Sequence, residues 1–418
     1  MNNESNARRP SKKLTPLDDA LAQVLATVPV LNQTQLVRIE EATDRVLAQD
    51  CYALVDVPPL ANSAMDGFAV HAADLETVPV SLPVTQRIAA GQTGSPLAQG
   101  EAARIFTGAP LPPGADAVVI QENCRMGDSS VEILQAVTAG ENVRDAGEDM
   151  RRGSQILQQG RRLRPQDIGL LAANGMTDIE VMRRPKVAIM TTGDELVTPG
   201  SDQGKGLSEG QIYNSNAYAL LALLSSMGIE ASNLGVVADT PSATREALDT
   251  AAKDHDVLIS TGGVSVGEED HVKAAVEEAG SLDLWKLAIK PGKPFASGTV
   301  HGKQFFGLPG NPVSTFVTFL LLVRPALLTM QACTEITPQT FFLPASFARP
   351  ESGERQEYLR VTVQQQQNDQ SALQPYRNQS SGVGASLSGA DGLAIIPPHT
   401  AVNEGDLLAY LPFTELLN

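Results

Sequence analysis

The chain has 418 residues, more than one hydrophobic core accommodates, so two to four domains are expected. Lys plus Arg number 31 against 48 Asp plus Glu, and the net charge of −17 opposes non-specific binding to nucleic acid or anionic lipid. The three cysteines, Cys51, Cys124 and Cys333, lie far apart with no CxxC pair, which excludes a disulfide framework or zinc knuckle and fits a reducing cytoplasm.

Residues 1–14 are polar and basic with no apolar stretch behind them, and read as a flexible tail rather than a signal peptide. Order begins at Thr15, an expected N-cap, with Pro16 as the first helical residue and Asp18 and Asp19 in the first turn. Leu17, Ala20, Leu21, Val24 and Leu25 share one helical face. A second helix starts at Pro165, runs through Leu170 and Leu171, and can be closed by Gly175. Residues 15–50 and 143–184 are therefore assigned to an elongated helical arm. Between them, residues 51–142 are rich in Pro, Gly, Val and short alternating runs, the texture of a β-rich inserted domain. A hairpin turn at Met126-Gly127-Asp128 is expected to join strands at 117–121 and 131–134.

From 185 to 330 strands and helices alternate. Strands are expected at 186–191 and 234–238 and through Val257, Leu258 and Ile259, with further apolar runs at 284–289 and 304–307. Helices are expected at 215–227, ended by Gly228, at 241–252, at 272–278, closed by Gly280, and at 312–328. This pattern predicts a three-layer α/β/α domain with a largely parallel sheet and a ligand site at the carboxyl ends of its strands. The apolar run 316–323 meets Arg324 and is too short to span a bilayer, so no membrane association is expected. Beyond 340 the helices stop. Leu359, Val361 and Val363 alternate with Arg360 and Thr362, and runs at 393–396 and 407–411 follow, so residues 331–418 read as a small all-β domain. The fold class is thus multidomain α/β.

The strand ends carry the chemistry. Ser260-Thr261-Gly262-Gly263 breaks the third strand, and paired glycines permit positive φ and a close approach of ligand to backbone N–H groups. Thr261 and Ser265 add hydroxyls, and after Gly267 a helix N-terminus faces the same concavity, a candidate phosphate cradle. The first strand ends in Thr191-Thr192-Gly193-Asp194-Glu195, the second in Ala238-Asp239, and the glycine loop runs on to Asp270. Such oxygen donors suit Mg²⁺, which takes one or two carboxylates plus phosphate oxygens. Lys290 and Lys293, on the proline-stiffened Lys-Pro-Gly-Lys-Pro turn, are natural counter-charges for phosphate. Leu308-Pro309-Gly310-Asn311-Pro312-Val313-Ser314 brings another helix N-terminus to the same end. A single such charge is usually a solvated loop residue, whereas coordinated signals at successive strand ends favour a site. Glu268 stands where a Walker lysine is needed, no GxGxxG, GxSxG or HExxH is present, and the five histidines are scattered.

Asn62-Ser63-Ala64-Met65-Asp66-Gly67-Phe68, Phe106-Thr107-Gly108-Ala109-Pro110 and Val143-Arg144-Asp145-Ala146-Gly147-Glu148-Asp149 resemble signatures of the molybdopterin molybdenumtransferases, the MoeA and gephyrin E-domain family. Thr192-Gly193-Asp194-Glu195-Leu196, the glycine loop, the Lys290 to Lys293 turn and the Leu308 to Pro312 segment complete the ordered set. The resemblance extends from about residue 15 to the C-terminus and is thinnest at the end, where Tyr358-Leu359-Arg360 and Ser380-Ser381-Gly382 carry it. It implies a homodimer of elongated subunits that cleaves adenylyl-molybdopterin with Mg²⁺ and inserts molybdate into the freed dithiolene, releasing AMP. On that footing Asp239 and Asp270 are candidates for holding Mg²⁺, and Glu195 for positioning substrate or water. Lys290 and Lys293 would stabilise phosphate charge beside Thr261, Gly262, Gly263, Ser265, Gly267, Pro309, Asn311, Pro312 and Ser314. Arg360 and Ser381 would hold molybdate, a tetrahedral dianion. Asp66, Thr107 and Asp149 would reach the cleft across the dimer, although turn chemistry accounts equally for Asp66 and Asp149. An adenylyltransferase that supplies the substrate, and molybdoenzymes that receive the product, are the implied partners. A molybdopterin adenylyltransferase, or a non-catalytic scaffold of the gephyrin type, is the alternative reading.

Overall fold

Continuous apolar runs make the central sheet of the structure, a computed structural model that describes residues 14–201, 204, 206–263, 271–365 and 370–417. Val187–Thr192 and Val257–Thr261 are buried along their whole length, as expected of strands covered on both faces. The strand order is Ala231–Val237, Val187–Thr192, Val257–Thr261, Lys303–Leu308, Pro294–Val300, Gly280–Lys286. The first four are parallel and the last two pair antiparallel. His301 and Gly302, at φ 48° and 76°, form the two-residue turn between Pro294–Val300 and Lys303–Leu308, too short for any parallel crossover. Successive side chains then feed two cores. Val187, Ile189, Val257 and Ile259 face Asn216–Ser226 and the long terminal helix, while Ala188, Met190 and Leu258 face Pro241–Asp254 and His271–Ala279.

Gly280 does not close a helix. It opens the Gly280–Lys286 strand, where an added Cβ would lie 2.1 Å from the Thr299 carbonyl oxygen, so close strand approach explains the glycine. The last helix is α over Pro312–Thr318, widens into a π turn at Phe319–Val323, and resumes over Arg324–Met330. Pro325 lacks an N–H and its ring crowds the preceding turn, and the wide segment absorbs this. The helix therefore continues through Arg324, and at 19 residues it is long and apolar enough to cross a bilayer, but 89% of that stretch is buried in the protein.

The N-terminal helix is Leu17–Thr27, with Pro16 rather than Thr15 at its cap. Thr15 is taken instead by the main chain of residues 286–288, giving its N–H to Lys286 and accepting from Ala288. Ala20 and Val24 join the core of the long helix. A separate core of Leu47, Leu163, Leu171, Ile179 and Val181 sits under the antiparallel pair Thr34–Arg38 and Asp178–Met182 and the helix Pro165–Ala173.

Between these segments a second six-stranded sheet runs Ala117–Ile120, Gly67–Val70, Ala102–Ile105, Val80–Ile88, Ser130–Ile133, Cys124–Met126. The turn at Gly127 joins Cys124–Met126 to Ser130–Ile133, whereas Ala117–Ile120 pairs with Gly67–Val70, a correction to the expected hairpin. The intervening 3-10 turn at Gln121–Asn123 breaks what looked like one strand.

The C-terminal sheet orders Ile289–Lys290, Gln356–Gln365, Gly392–Ile396, Leu407–Pro412 and Phe341–Pro344, with Ser371–Pro375 also on Gln356–Gln365. Its central strand is buried from Glu357 to Val361, so Arg360 does not point outward as the alternation suggested. Two short helices, Ala385–Ser388 and Phe413–Leu417, correct the expectation that helices end at 340. Ile289–Lys290 and Ser371–Pro375 occupy the same edge of the central strand. The first pairs at Gln356 and Glu357 and the second from Val361 onward, leaving a notch at residues 358–360.

The helix Pro165–Ala173 yields a stability test. Asp167 is 4% exposed, and its carboxylate accepts from the Arg161 Nε and Nη2 at 3.0 and 2.9 Å and from the Arg164 N–H at 3.0 Å. Burial opposes its ionisation, but the Arg161 guanidinium and the Arg164 bonds outweigh burial and hold its pKa below the usual value. A depressed carboxyl stabilises above its unfolded pKa, about 3.9, and that contribution disappears as pH falls through the folded value. Asp167→Asn should cost about 1.5 to 3 kcal/mol at pH 7. Urea unfolding followed at pH 7 and at pH 3 should show a gap that closes in acid; equal midpoints at pH 7 would remove Asp167 from the stability of the arm.

Candidate functional site

The carboxyl ends of the parallel strands enclose a cavity of about 260 Å³ lined by Thr192, Gly193, Glu195, Asn216, Asp239, Thr261, Gly262, Gly263 and Gly310 among others. Its floor is locked by hydrogen bonds that the sequence did not announce. Thr261 donates its hydroxyl to the Pro309 carbonyl at 3.1 Å and accepts from Asn216 Nδ2 at 2.9 Å. The same Asn216 amide donates to the Gly310 carbonyl at 2.7 Å. Asn216 was read only as part of a helix start, and nothing in its spacing marks a partner 94 positions away.

The glycines are needed for protein packing as much as for a ligand. Gly262 and Gly263 have φ of 91° and 63°, and added Cβ atoms would fall 2.6 Å from the Thr192 carbonyl oxygen and 2.6 Å from Val272 Cγ2. The Gly262 N–H donates to the Leu308 carbonyl at 3.2 Å, so that amide serves the sheet rather than the concavity. Ser265, Gly267 and Asp270 lie outside the described residues.

Glu195 and Asp239 are exposed carboxylates on this one cavity. Magnesium requires one or two carboxylates and completes its shell with phosphate and water oxygens, a set that these two acids fit. Among the described residues no group of three or more His, Cys, Asp or Glu is assembled for a metal.

The lysines of the Lys-Pro-Gly-Lys-Pro turn line other cavities. Lys290 belongs to the edge strand of the C-terminal sheet, paired in register with Glu357. It faces the notch at residues 358–360, a cavity of about 270 Å³ with Arg349, Glu357, Arg360, Gln379 and Ser380 in its lining. Arg360 is 1% exposed, and donates from Nε to Ser386 Oγ at 3.1 Å and from Nη2 to the Ser380 carbonyl at 3.2 Å. Among the described residues no carboxylate pairs with it, and burial lowers its pKa to about 10, so the guanidinium remains charged near neutrality. Lys293 instead lines a cavity of about 630 Å³ beside Pro16, Asp18, Lys286 and Glu354.

Asn311, Pro312 and Ser314 begin the long helix, where the Asn311 carbonyl accepts from the Thr315 N–H and hydroxyl. Ser314 is buried. Ser381 meets this helix start directly, accepting the Val313 N–H at 3.1 Å on its carbonyl. Its neighbour Ser380, rather than Ser381, lines the Arg360 cavity.

Asp66 and Thr107 are brought together in the inserted sheet, where Asp66 Oδ1 accepts both the N–H and the hydroxyl of Thr107 at 2.8 Å. The Thr107 N–H, then its hydroxyl, hold the Asp66 pKa below the ordinary value. Arg104 braces the pair, giving Nη1 to the Gly67 carbonyl and stacking over Phe68 and Phe106. Asp149 sits on the adjoining loop, its N–H on the Val57 carbonyl and its side chain exposed. Neither Asp66, Thr107 nor Asp149 lines the strand-end cavity of its own chain.

Three family profiles match in order: the MoeA N-terminal region (domain I and II) at residues 15–175, a probable molybdopterin binding domain at 188–329, and the MoeA C-terminal region (domain IV) at 343–413. The molybdopterin molybdenumtransferase of Haemophilus influenzae is 39% identical over 317 residues, 75% of this chain and 77% of that protein. That of Nostoc sp. is 39% identical over 334 residues, 76% of each chain. The crystal structure of the molybdopterin biosynthesis moeA protein from Pyrococcus horikoshii superposes with a TM-score of 0.82 at 29% identity, covering 96% of this chain and all of that one. With the multidomain α/β architecture, the strand-end cavity and these three ordered matches, the chain belongs to the MoeA family of molybdopterin molybdenumtransferases.

Proposed function

We propose that this protein is a molybdenum insertase of molybdenum cofactor biosynthesis, which cleaves adenylyl-molybdopterin and places molybdate in the dithiolene. The observation that carries this reading is a pair of cavities of opposite charge character. One lies at the strand ends with two carboxylates, and the other holds a buried, charged guanidinium without a counter-ion of its own. Ser381, next to Ser380 of the second cavity, accepts the N–H of Val313, which follows Gly310 of the first, so one short contact links the two linings and a phosphate at one and an oxyanion at the other would belong to a single extended substrate.

Water adds to the adenylyl phosphorus and the phosphoanhydride bond breaks, freeing AMP and the phosphorylated pterin. Molybdate then exchanges one oxide for the two dithiolene sulfurs, the oxide leaving as water with the two thiol protons and no electron transferred. Asp239 and Asp270 would hold Mg²⁺, which when bound would supply neutralisation of the pyrophosphate charge. Glu195, on the same cavity as Asp239, orients the attacking water or the phosphate. Thr261, Asn216 and the Leu308 to Pro312 segment keep the cradle rigid, which keeps reorganisation cost out of the reaction. Arg360 and Lys290 receive molybdate, with Ser381 at the rim. Lys293 approaches the nucleotide from its own cavity. In a homodimer, Asp66, Thr107 and Asp149 of one copy complete the site of the other. The protein works in the cytoplasm beside an adenylyltransferase that makes its substrate and the molybdoenzymes that take its product.

The reading is tested by incubating the protein with adenylyl-molybdopterin, molybdate and Mg²⁺. AMP and metal-bearing pterin are the expected products; formation of adenylyl-molybdopterin from ATP instead would favour an adenylyltransferase. Asp239→Asn should remain folded and lose AMP release by about a hundredfold or more, given the typical weight of removing one group that stabilises transition-state charge. Unchanged AMP release in this variant would take Asp239 out of the metal site.

The dimer proposal has its own test. Asp66→Ala and Lys290→Ala chains, each inactive alone, should regenerate activity when mixed, because one class of heterodimer site is then intact. No recovery in verified heterodimers would place both residues in the same chain's site or outside it.

A further inference from the structure

Glu357 is the one carboxylate among the described residues that line the Arg360 cavity, and it is 4% exposed. It accepts Lys290 Nζ at 3.1 Å on Oε1, and Arg349 Nη2 lies 2.5 Å from Oε2 as an ion-pair contact that is not aligned as a hydrogen bond. The cavity therefore contains three cations, Lys290, Arg349 and Arg360, and a single buried anion. Two of the cations are already committed to that anion, and the third contacts only neutral oxygens. The backbone makes the arrangement unavoidable. Lys290 and Glu357 are register partners in the parallel pair, and Arg349 is pinned by the reciprocal N–H to carbonyl bonds it exchanges with Val402.

A dianion that enters this cavity meets attraction from Arg360 and repulsion from Glu357, and gains Lys290 only by drawing its ammonium away from the carboxylate. We propose that Glu357 is a built-in competitor: a positioning residue that holds Lys290 and Arg349 in place when the cavity contains no oxyanion, and weakens oxyanion binding so that the ion can leave toward its acceptor. This deepens the reading of the cavity as the molybdate site and rests on it. At about 270 Å³ the cavity exceeds several-fold the roughly 30 Å³ share of one water, so a tetrahedral oxyanion fits beside the carboxylate without displacing it. A buried anion close to the ligand acts at low effective dielectric, where a single charge changes affinity strongly.

The experiment is calorimetric titration of the full-length protein with molybdate, and in parallel with sulfate as a second tetrahedral dianion. Glu357→Gln keeps the shape and removes the charge. It should bind both ions roughly ten- to a hundredfold more tightly than the wild type. In turnover the apparent KM for molybdate should fall with no gain in kcat, a split that a merely structural role does not produce. Glu357→Asp, which keeps the charge, should bind as weakly as the wild type. If Glu357→Gln does not fold, Lys290→Gln and the paired Lys290→Gln/Glu357→Gln protein serve instead, since the pair removes one charge of each sign. The double variant should bind more tightly than Lys290→Gln alone. Equal or weaker oxyanion binding on removing Glu357, with Arg360→Ala abolishing it, would overturn the competitor role and leave the molybdate site standing. Molybdate binding unaffected by Arg360→Ala would overturn both.

Discussion

The connection from Leu308 to Val313 holds the functional end of this protein together. Its carbonyls accept the Gly262 N–H at Leu308, the Thr261 and Thr315 hydroxyls at Pro309 and the Asn216 amide at Gly310, and the Val313 N–H reaches across to Ser381. A loop at a sheet edge ordinarily leaves such groups to water. Here the carbonyls of Leu308, Pro309 and Gly310 and the N–H of Val313 all have protein partners from other parts of the chain. Two proline rings, at 309 and 312, remove donors that would otherwise be unmet and restrict the backbone before the helix begins. The glycine loop, the helix of Asn216 and the C-terminal domain are thereby referred to one rigid frame, and a substrate touching all three meets groups that are already in place.

That frame explains why the cavities are separate. The turn carrying Lys290 and Lys293 leaves the α/β sheet, donates Ile289–Lys290 to the C-terminal sheet, and returns as Pro294–Val300. The two lysines then line different cavities, one the notch with Arg360 and the other beside the N-terminal helix. Charge is also distributed by this crossing. In a chain with net charge −17, the notch concentrates three cations on one buried carboxylate, a local inversion that focuses an oxyanion where the molecule as a whole repels it.

What could be read beforehand follows from the range of the interactions. The strands of the α/β domain were legible because fully buried parallel strands leave unbroken runs such as Val257 to Ile259, and helices because Pro165, Pro241 and Pro312 mark their first turns. Gly262 and Gly263 were identified correctly as a required turn, yet the reason proved to be the crowding of Thr192 and Val272. Gly280 was misread because a glycine after a helical run has two meanings, a left-handed cap or a close strand contact, and only the position of Thr299 decides between them. Asn216 and Glu357 were invisible as site residues, since Thr261 and Lys290 lie dozens of residues from them, and Arg349 was missed because no local pattern marks its pairing with Glu357. Arg360 was picked out by resemblance, while its burial contradicted the alternation read around it, because the segment carrying Ser380 and Ser386 covers the side chain.

The Asp66 and Thr107 pair raises a different constraint. An exposed carboxylate that accepts two bonds from one threonine is held in a fixed direction without being buried, and Arg104 fixes the adjoining Gly67 carbonyl while its guanidinium stacks on Phe68 and Phe106. Such preparation has a cost in side-chain entropy that exposed surface residues do not ordinarily bear, and it brings no core burial in return. Turn chemistry offsets part of that cost, and a second body that used the orientation would offset the rest. Within one chain the pair lines no part of the strand-end cavity, and its two bonds tie the turn before Gly67 to the turn after Phe106. In the proposed homodimer that body is the second copy, which would present the acids, the cradle and the cationic notch together, and a two-fold arrangement would let every prepared carboxylate serve once.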